Sequence, residues 1–198
     1  RALDHEQRHT VAASFLGWML DAFDYFLLTF VIVAIAQEFQ VEKVEVTFAL
    51  FLTLAARPLG ALLFGRLADR YGRRPILMLD VVLFSIFEFA TAFAPSLTAL
   101  LVLRFLFGIA MGGEWGIGAS LAMESIPAQS RGIVSGLLQS GYPCGFFLAA
   151  LVNWLLVDHI GWRGLFIVGA LPALLVLYIR SKVPESAAWQ AQQRQPRQ

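Results

Sequence analysis

Ten residues, Gly65-Arg66-Leu67-Ala68-Asp69-Arg70-Tyr71-Gly72-Arg73-Arg74, pack four arginines and one aspartate between two long apolar blocks. A solvated surface loop has no need of helix-length apolar flanks on both sides. A tight turn between two membrane helices does. Glycine permits a sharp reversal at little steric cost, so Gly65 and Gly72 are read as turn residues. Basic residues collect in short cytoplasmic loops, so the arginines fix the side of the membrane on which the turn lies.

Composition agrees with that reading. Of 198 residues, 58% are hydrophobic and 15% charged, where an ordinary soluble domain is nearer half apolar and about a quarter charged. An all-α, polytopic membrane protein is expected. Nucleic-acid binding does not fit so apolar a chain. The single cysteine, Cys144, excludes an internal disulfide and any multi-cysteine metal site. It lies in an apolar run and reads as a small packing residue. No nucleophile–base set or metal cluster stands out, so no enzyme activity, metal or cofactor is expected. The first apolar run carries two aspartates and no small-residue cleavage site, unlike a cleavable signal. Arg1 is not an initiator methionine, so some N-terminal sequence is expected to be missing.

Residues 1–10 are polar and read as a cytoplasmic lead-in. Six transmembrane helices are expected within 11–182: Val11–Ala36, Glu45–Phe64, Pro75–Ala94, Leu97–Met123, Ile133–Val157 and Gly164–Lys182. The first is about 39 Å long at 1.5 Å per residue, enough to cross ~30 Å of hydrocarbon with tilt. Residues 183–198 are polar and Gln-rich, like a tail or the start of a linker. Six spans put both termini on one side. Eleven basic residues fall on that side (Arg1, Arg8, Arg66, Arg70, Arg73, Arg74, Arg131, Arg180, Lys182, Arg194 and Arg197) against Lys43 and Arg163 opposite. Both termini are therefore expected to be cytoplasmic.

Charge inside the spans is the functional signal. A charge at the bilayer centre costs at least ~2.5–3.5 kcal/mol, so each needs a partner or a wet cavity. Asp21 and Asp24 lie in the first span, Arg57 in the second, Glu88 in the third, and Arg104 and Glu114 in the fourth. Asp80 and Glu124 lie nearer the cytoplasmic ends and read as wet. Asp21 and Asp24 share a helix face. Arg104 stands roughly level with Asp24, and Arg57 with Asp21, when heights are counted at about 1.5 Å per residue. Asp24 is therefore expected to pair with Arg104, with Arg57 and Asp21 facing a central cavity. Two acids so placed disfavour double ionisation, which suits a proton-coupling site made of Asp21, Asp24 and Arg104. Arg57 suits an anionic substrate, because guanidinium binds carboxylate bidentately. Glu114 and, on the fifth helix, Gln139 and Tyr142 complete the expected substrate-binding set. The alternative is an ion network that only holds the helices together. Trp18, Trp115 and Trp154 read as lipid-facing or packing residues.

The ten-residue run resembles the G-x-L-A-D-R-x-G-R-R loop between the second and third helices of major facilitator superfamily transporters, and every defined position matches. Arg104-Phe105-Leu106-Phe107-Gly108-Ile109-Ala110-Met111-Gly112-Gly113 resembles that superfamily's R-x-x-x-G-x-x-x-G-G pattern, whose arginine is linked to proton coupling. Tyr142 stands between Gly141 and Pro143, where the antiporter signature has Gly directly before Pro, and this favours symport. Asp21-Ala22-Phe23-Asp24, Arg57-Pro58-Leu59-Gly60-Ala61, Gly113-Glu114-Trp115-Gly116, Ser130-Arg131-Gly132 and Val183-Pro184-Glu185-Ser186 look like the sialate:proton symporter family, which includes lactate and other monocarboxylate permeases.

The resemblance implies one six-helix half of a major facilitator fold. It implies proton symport of a small organic anion such as lactate, pyruvate or sialate. Aromatic-acid or other metabolite:proton symport is the alternative, as is a non-transporting half acting as an assembly module. It also implies a conformational cluster of Gly65, Asp69, Arg70, Gly72, Arg73, Arg74, Glu124 and Arg131. Full members have two six-helix halves, so a C-terminal half is the expected partner, alongside the anion and the lipid bilayer.

Overall fold

The computed structural model describes residues 3–193, which are helical almost throughout. The elements are α1 His5–Phe39, α2 Lys43–Tyr71, α3 Arg73–Thr91, α4 Leu97–Ser125, a short 3-10 turn Ala128–Ser130, α5 Arg131–Gly169, α6 Ala173–Lys182 and α7 Ala187–Gln193. Among the described residues, four stretches are long and apolar enough to cross a membrane: His5–Phe39, Lys43–Tyr71, Leu97–Ser125 and Ala128–Lys182. The described residues run along the bundle six times, because α3 adds a pass to these four and the last stretch doubles back at Gly161.

Several boundaries differ from the sequence expectation, each for a local reason. The polar lead-in is helical from His5. Asp4 accepts from the backbone N–H of Gln7 at 2.8 Å and Gln7 answers onto Asp4, a reciprocal cap that starts the helix early. The arginine-rich run is not a broad loop. α2 continues to Tyr71, and the reversal is the single residue Gly72 (φ 113°, ψ 151°). Gly65 is an ordinary helical residue, so it is not a turn glycine. No loop spans 158–163; instead α5 breaks at Gly161 (φ 64°, ψ −178°) and turns back. The sixth pass is itself interrupted between Gly169 and Ala173, where Pro172 begins a fresh helix. The tail is irregular over 183–186 and then coils into α7, Ala187–Gln193. Arg1, Arg194 and Arg197 lie outside the described residues.

Small residues set how closely the helices approach. The most extensive seams are α2 with α4 and α1 with α5. A Cβ at Gly108 or Gly112 of α4 would strike the backbone of Thr53 or Arg57 in α2, and one at Gly60 would strike the Ile109 carbonyl. These glycines are where two backbones meet. The Thr53 hydroxyl crosses the same seam to the Arg104 carbonyl at 3.1 Å. We expect Gly108→Leu to lower the thermal unfolding temperature of the purified chain markedly, since overpacking a close seam costs about 1–3 kcal/mol or more. Gly65→Leu, whose Cβ meets nothing, is the control.

Two large apolar cores stack along the bundle, with a smaller third one of Val11, Ala122, Ile126, Val134 and Leu138. Phe84, Phe107, Met111 and Leu121 fill the half nearer Gly72, and Leu27, Ile35, Leu100 and Phe166 the other. Large apolar side chains also cover the outside, including Phe51, Leu62, Phe147 and Trp154. Water would not tolerate so continuous an apolar surface, whereas lipid or another helical bundle covers it at no such cost. Cys144 is on this exposed surface and not in the packing where the sequence placed it.

Candidate functional site

α1 runs through the middle and carries the two aspartates. Asp21 and Asp24 are both fully buried. Asp21 Oδ2 accepts from Arg57 Nη2 at 3.2 Å, so the two are neighbours as expected, but Asp21 is fully buried behind Arg57 and does not itself face the cavity that Arg57 lines. The same Nη2 lies 2.8 Å from the Met111 sulfur. The Arg57 guanidinium stands 5.9 Å from the Trp18 ring centroid and 5.8 Å from that of Tyr25. About a fifth of its side chain (21%) stays exposed. That face belongs to a cavity of about 260 Å³ lined by Trp18, Leu54, Arg57, Met111, Gly112 and Trp115. Pro58, one residue on, keeps this stretch of α2 apart from a fully bonded helix.

Trp18 and Trp115 wall this cavity, with ring centroids 5.9 Å apart. Tyr142 packs against Trp18, with its ring 5.2 Å from Trp18 and 5.3 Å from Phe26, and is not among the residues that line this cavity. The signal that could have found Trp18 was its helical spacing from Asp21. Both project from one face of α1, toward Arg57.

The other expected pairing is different in the structure. Arg104 bonds Glu88 of α3, not Asp24, and also donates to the Thr91 hydroxyl at 2.9 Å. Its guanidinium lies 4.3 Å from the Phe107 centroid and 5.0 Å from that of Phe166. Neither carboxylate oxygen of Asp24 has a hydrogen-bond partner among the described residues. Heights along two helices cannot say which way side chains point; α4 presents Arg104 to α3. Glu114 is turned into the α1–α4 seam, where only the missing side chain of Gly17 makes room for its carboxyl, and it is not on the cavity wall. Gln139 is exposed on α5, away from that wall. Asp80 is not wet: it is fully buried.

At the Gly72 end, Arg73 bridges Asp69 at 2.7 Å and Glu124 at 3.3 Å. Arg70 lies 5.3 Å from the Tyr71 ring. Arg74 donates to the Arg180 carbonyl. Arg131 is exposed and makes no ion pair among the described residues, so it stands apart from this cluster. The sequence reading gave Glu185 no bonding role here. Glu185 accepts from the backbone N–H groups of Arg73 (3.1 Å) and Arg74 (3.2 Å), capping α3 from outside. Ser186 donates to Glu124, and the Trp189 indole donates to the Asp69 carbonyl at 2.9 Å. We expect Glu185→Ala to cost about 0.5–2 kcal/mol as a lost cap. It should also make Trp189 fluorescence more accessible to a water-soluble quencher; unchanged quenching would show that α7 is held without it.

The sequence description of the Major Facilitator Superfamily matches residues 14–197. The chain belongs to that superfamily. It is a transporter-family chain and not an enzyme. It is 37% identical over 171 residues to the niacin transporter NiaP of Acinetobacter baylyi, covering 86% of this chain and 39% of that protein. It is 33% identical over 183 residues to the sialic acid transporter NanX of Escherichia coli, covering 92% of this chain and 45% of that protein. The partially occluded, inward-open structure of the xylose transporter XylE from E. coli superposes with a TM-score of 0.85 at 22% identity, over 96% of this chain and 52% of that one. That last likeness is one of fold. This major facilitator chain spans less than half the length of the two curated relatives.

Proposed function

We propose that the chain is the N-terminal, six-transmembrane-helix half of a major facilitator symporter that carries a small organic anion together with a proton. The bacterial inner membrane is the proposed site, with both termini cytoplasmic, and a second six-helix half the proposed partner. The supporting observation is Arg57: a guanidinium with one open face on an aromatic cavity and its other contact on a buried aspartate. A substrate carboxylate competes with Asp21 for that guanidinium. Asp21, once released, is a buried carboxylate without a partner, and taking up a proton removes that penalty. Anion and proton thus favour one another's binding, which is the linkage symport requires. Alternating access then rocks this bundle against its partner around a mid-membrane site.

Lactate, pyruvate and sialate are the first substrates proposed. A specific observation favours an aromatic acid beside them, namely the Trp18 and Trp115 rings that line the cavity with Arg57. Relatives named for niacin and for sialic acid, both carboxylic acids, support an anion over a neutral substrate. The test is uptake into proteoliposomes by the chain joined to a second half, with lactate, pyruvate, sialate and nicotinate offered in turn. Accumulation of one of them with external alkalinisation supports the reading and names the class. Accumulation of none favours the non-transporting assembly module.

A further inference from the structure

α3 and α6 leave a groove of about 520 Å³ between them. Its apolar walls are Met78, Leu79 and Val82 of α3 and Val176 of α6, and Arg74 and Arg180 close one end. Arg74 lies in the first turn of α3 and Arg180 in the last turn of α6. The Arg74 guanidinium donates to the Arg180 carbonyl, so the two residues stand at one level. From that level Val82 lies about 12 Å deeper and Val176 about 6 Å deeper, at 1.5 Å per residue. Ile86 and Leu174, further along the two helices, are exposed as well, so the apolar face outruns the groove.

The charge at the closed end is one-sided. No acid lines the groove. Among the described residues neither of its guanidiniums has an ion pair, whereas Arg57, Arg73, Arg104 and Arg163 each have one. Arg74 Nε is buried with no acceptor. Glu185 is engaged by the backbone N–H groups of Arg73 and Arg74. Lys182 adds a third cation in the last turn of α6. Cations there suit the dipole of α6, but that gives Arg74 no counter-ion. An anion with a long apolar tail fits both parts of the groove. Guanidinium forks bind phosphate oxygens bidentately, and the apolar walls take the tail. A headgroup that also carries an ammonium would need a carboxylate, and the groove offers none.

We propose that this groove binds an anionic phospholipid from the leaflet at the arginine-rich end. Its phosphodiester sits on Arg74 and Arg180, and an acyl chain lies along Met78, Val82 and Val176. The lipid thereby ties the start of α3 to the end of α6, beside the Gly72 turn. The site needs only a chain embedded in a bilayer, and it is independent of the symport reading and of the transported substrate.

Native mass spectrometry of the detergent-purified chain tests the site, with phosphatidylglycerol and phosphatidylethanolamine of identical acyl chains added in turn. Phosphatidylglycerol is expected to bind more tightly by on the order of tenfold, and Arg180→Gln to weaken it about fivefold, the worth of one interfacial cation. Arg180 is exposed, so this variant should fold as wild type does. Val176→Trp fills the groove, keeps both charges, and should lose the lipid too. Arg131→Gln removes an exposed cation outside the groove and should bind like wild type. Equal binding of the two lipids overturns the proposal. So does an equal loss in Arg131→Gln and Arg180→Gln, which would reduce the site to a diffuse positive field. Glycerol 3-phosphate is the soluble arm: binding as tight as the lipid's would make this a site for a free phosphate and overturn the lipid assignment.

Discussion

Glu88→Ala is expected to destabilise the bundle by about 3–5 kcal/mol, because it strands the Arg104 guanidinium in the apolar core. Arg104 and Glu88 are both essentially inaccessible, and the aromatic rings of Phe107 and Phe166 close over the cation. Thr91 alone would remain as a side-chain acceptor. The loss should appear as a large drop in the thermal midpoint of the purified chain. Replacing both partners with apolar residues, Glu88→Leu with Arg104→Leu, should recover most of it, since a packed apolar pair needs no counter-charge. An unchanged midpoint in the single variant would mean that Asp24, the nearest unpartnered acid on α1, takes over the cation. The pairing expected from sequence would then be available after all.

Arg57→Ala is expected to abolish anion binding, and Arg57→Lys to weaken it by roughly 10- to 100-fold. Lysine keeps the charge but loses the planar fork, and hydrogen bonds to charged groups are worth about 1.5–3 kcal/mol each. Quenching of Trp18 and Trp115, which wall the same cavity, supplies the readout. Lysine and wild type binding alike would remove Arg57 as a bidentate contact. Its role would then reduce to pairing with Asp21.

The residues that carry chemistry were legible in the sequence by type, because charge within an apolar span is conspicuous. Their partners were less so. Helical rise gave the heights of Asp21, Asp24, Arg57 and Arg104 well enough to predict the Asp21–Arg57 neighbourhood. Rotation about each helix axis decided the rest, and rotation is set by packing. The glycines of α4 press it against α2, and that leaves Arg104 facing Glu88 on α3. Glu114 followed the same logic into the seam at Gly17. The turn at Gly72 was also misjudged in extent. Ten residues, eight of them charged or small, read as a turn, yet Leu67 and Ala68 pack inward and keep α2 helical up to one positive-φ glycine. Glu185 was quoted in the P-E-S segment, but its role as a cap is invisible without the fold that returns it to α3. Superfamily membership needed none of this geometry, since the loop and α4 patterns are contiguous in the chain.

In the proposed mechanism Arg57 is shared between Asp21 and the anion, so that binding one releases the other. The most direct measurement is the number of protons taken up per anion bound. It can be made by calorimetry in two buffers of different ionisation enthalpy, on the chain joined to a second half. The account predicts proton uptake on anion binding by wild type and none by Asp21→Asn, which should still bind the anion. Anion binding by wild type with no linked proton would contradict it.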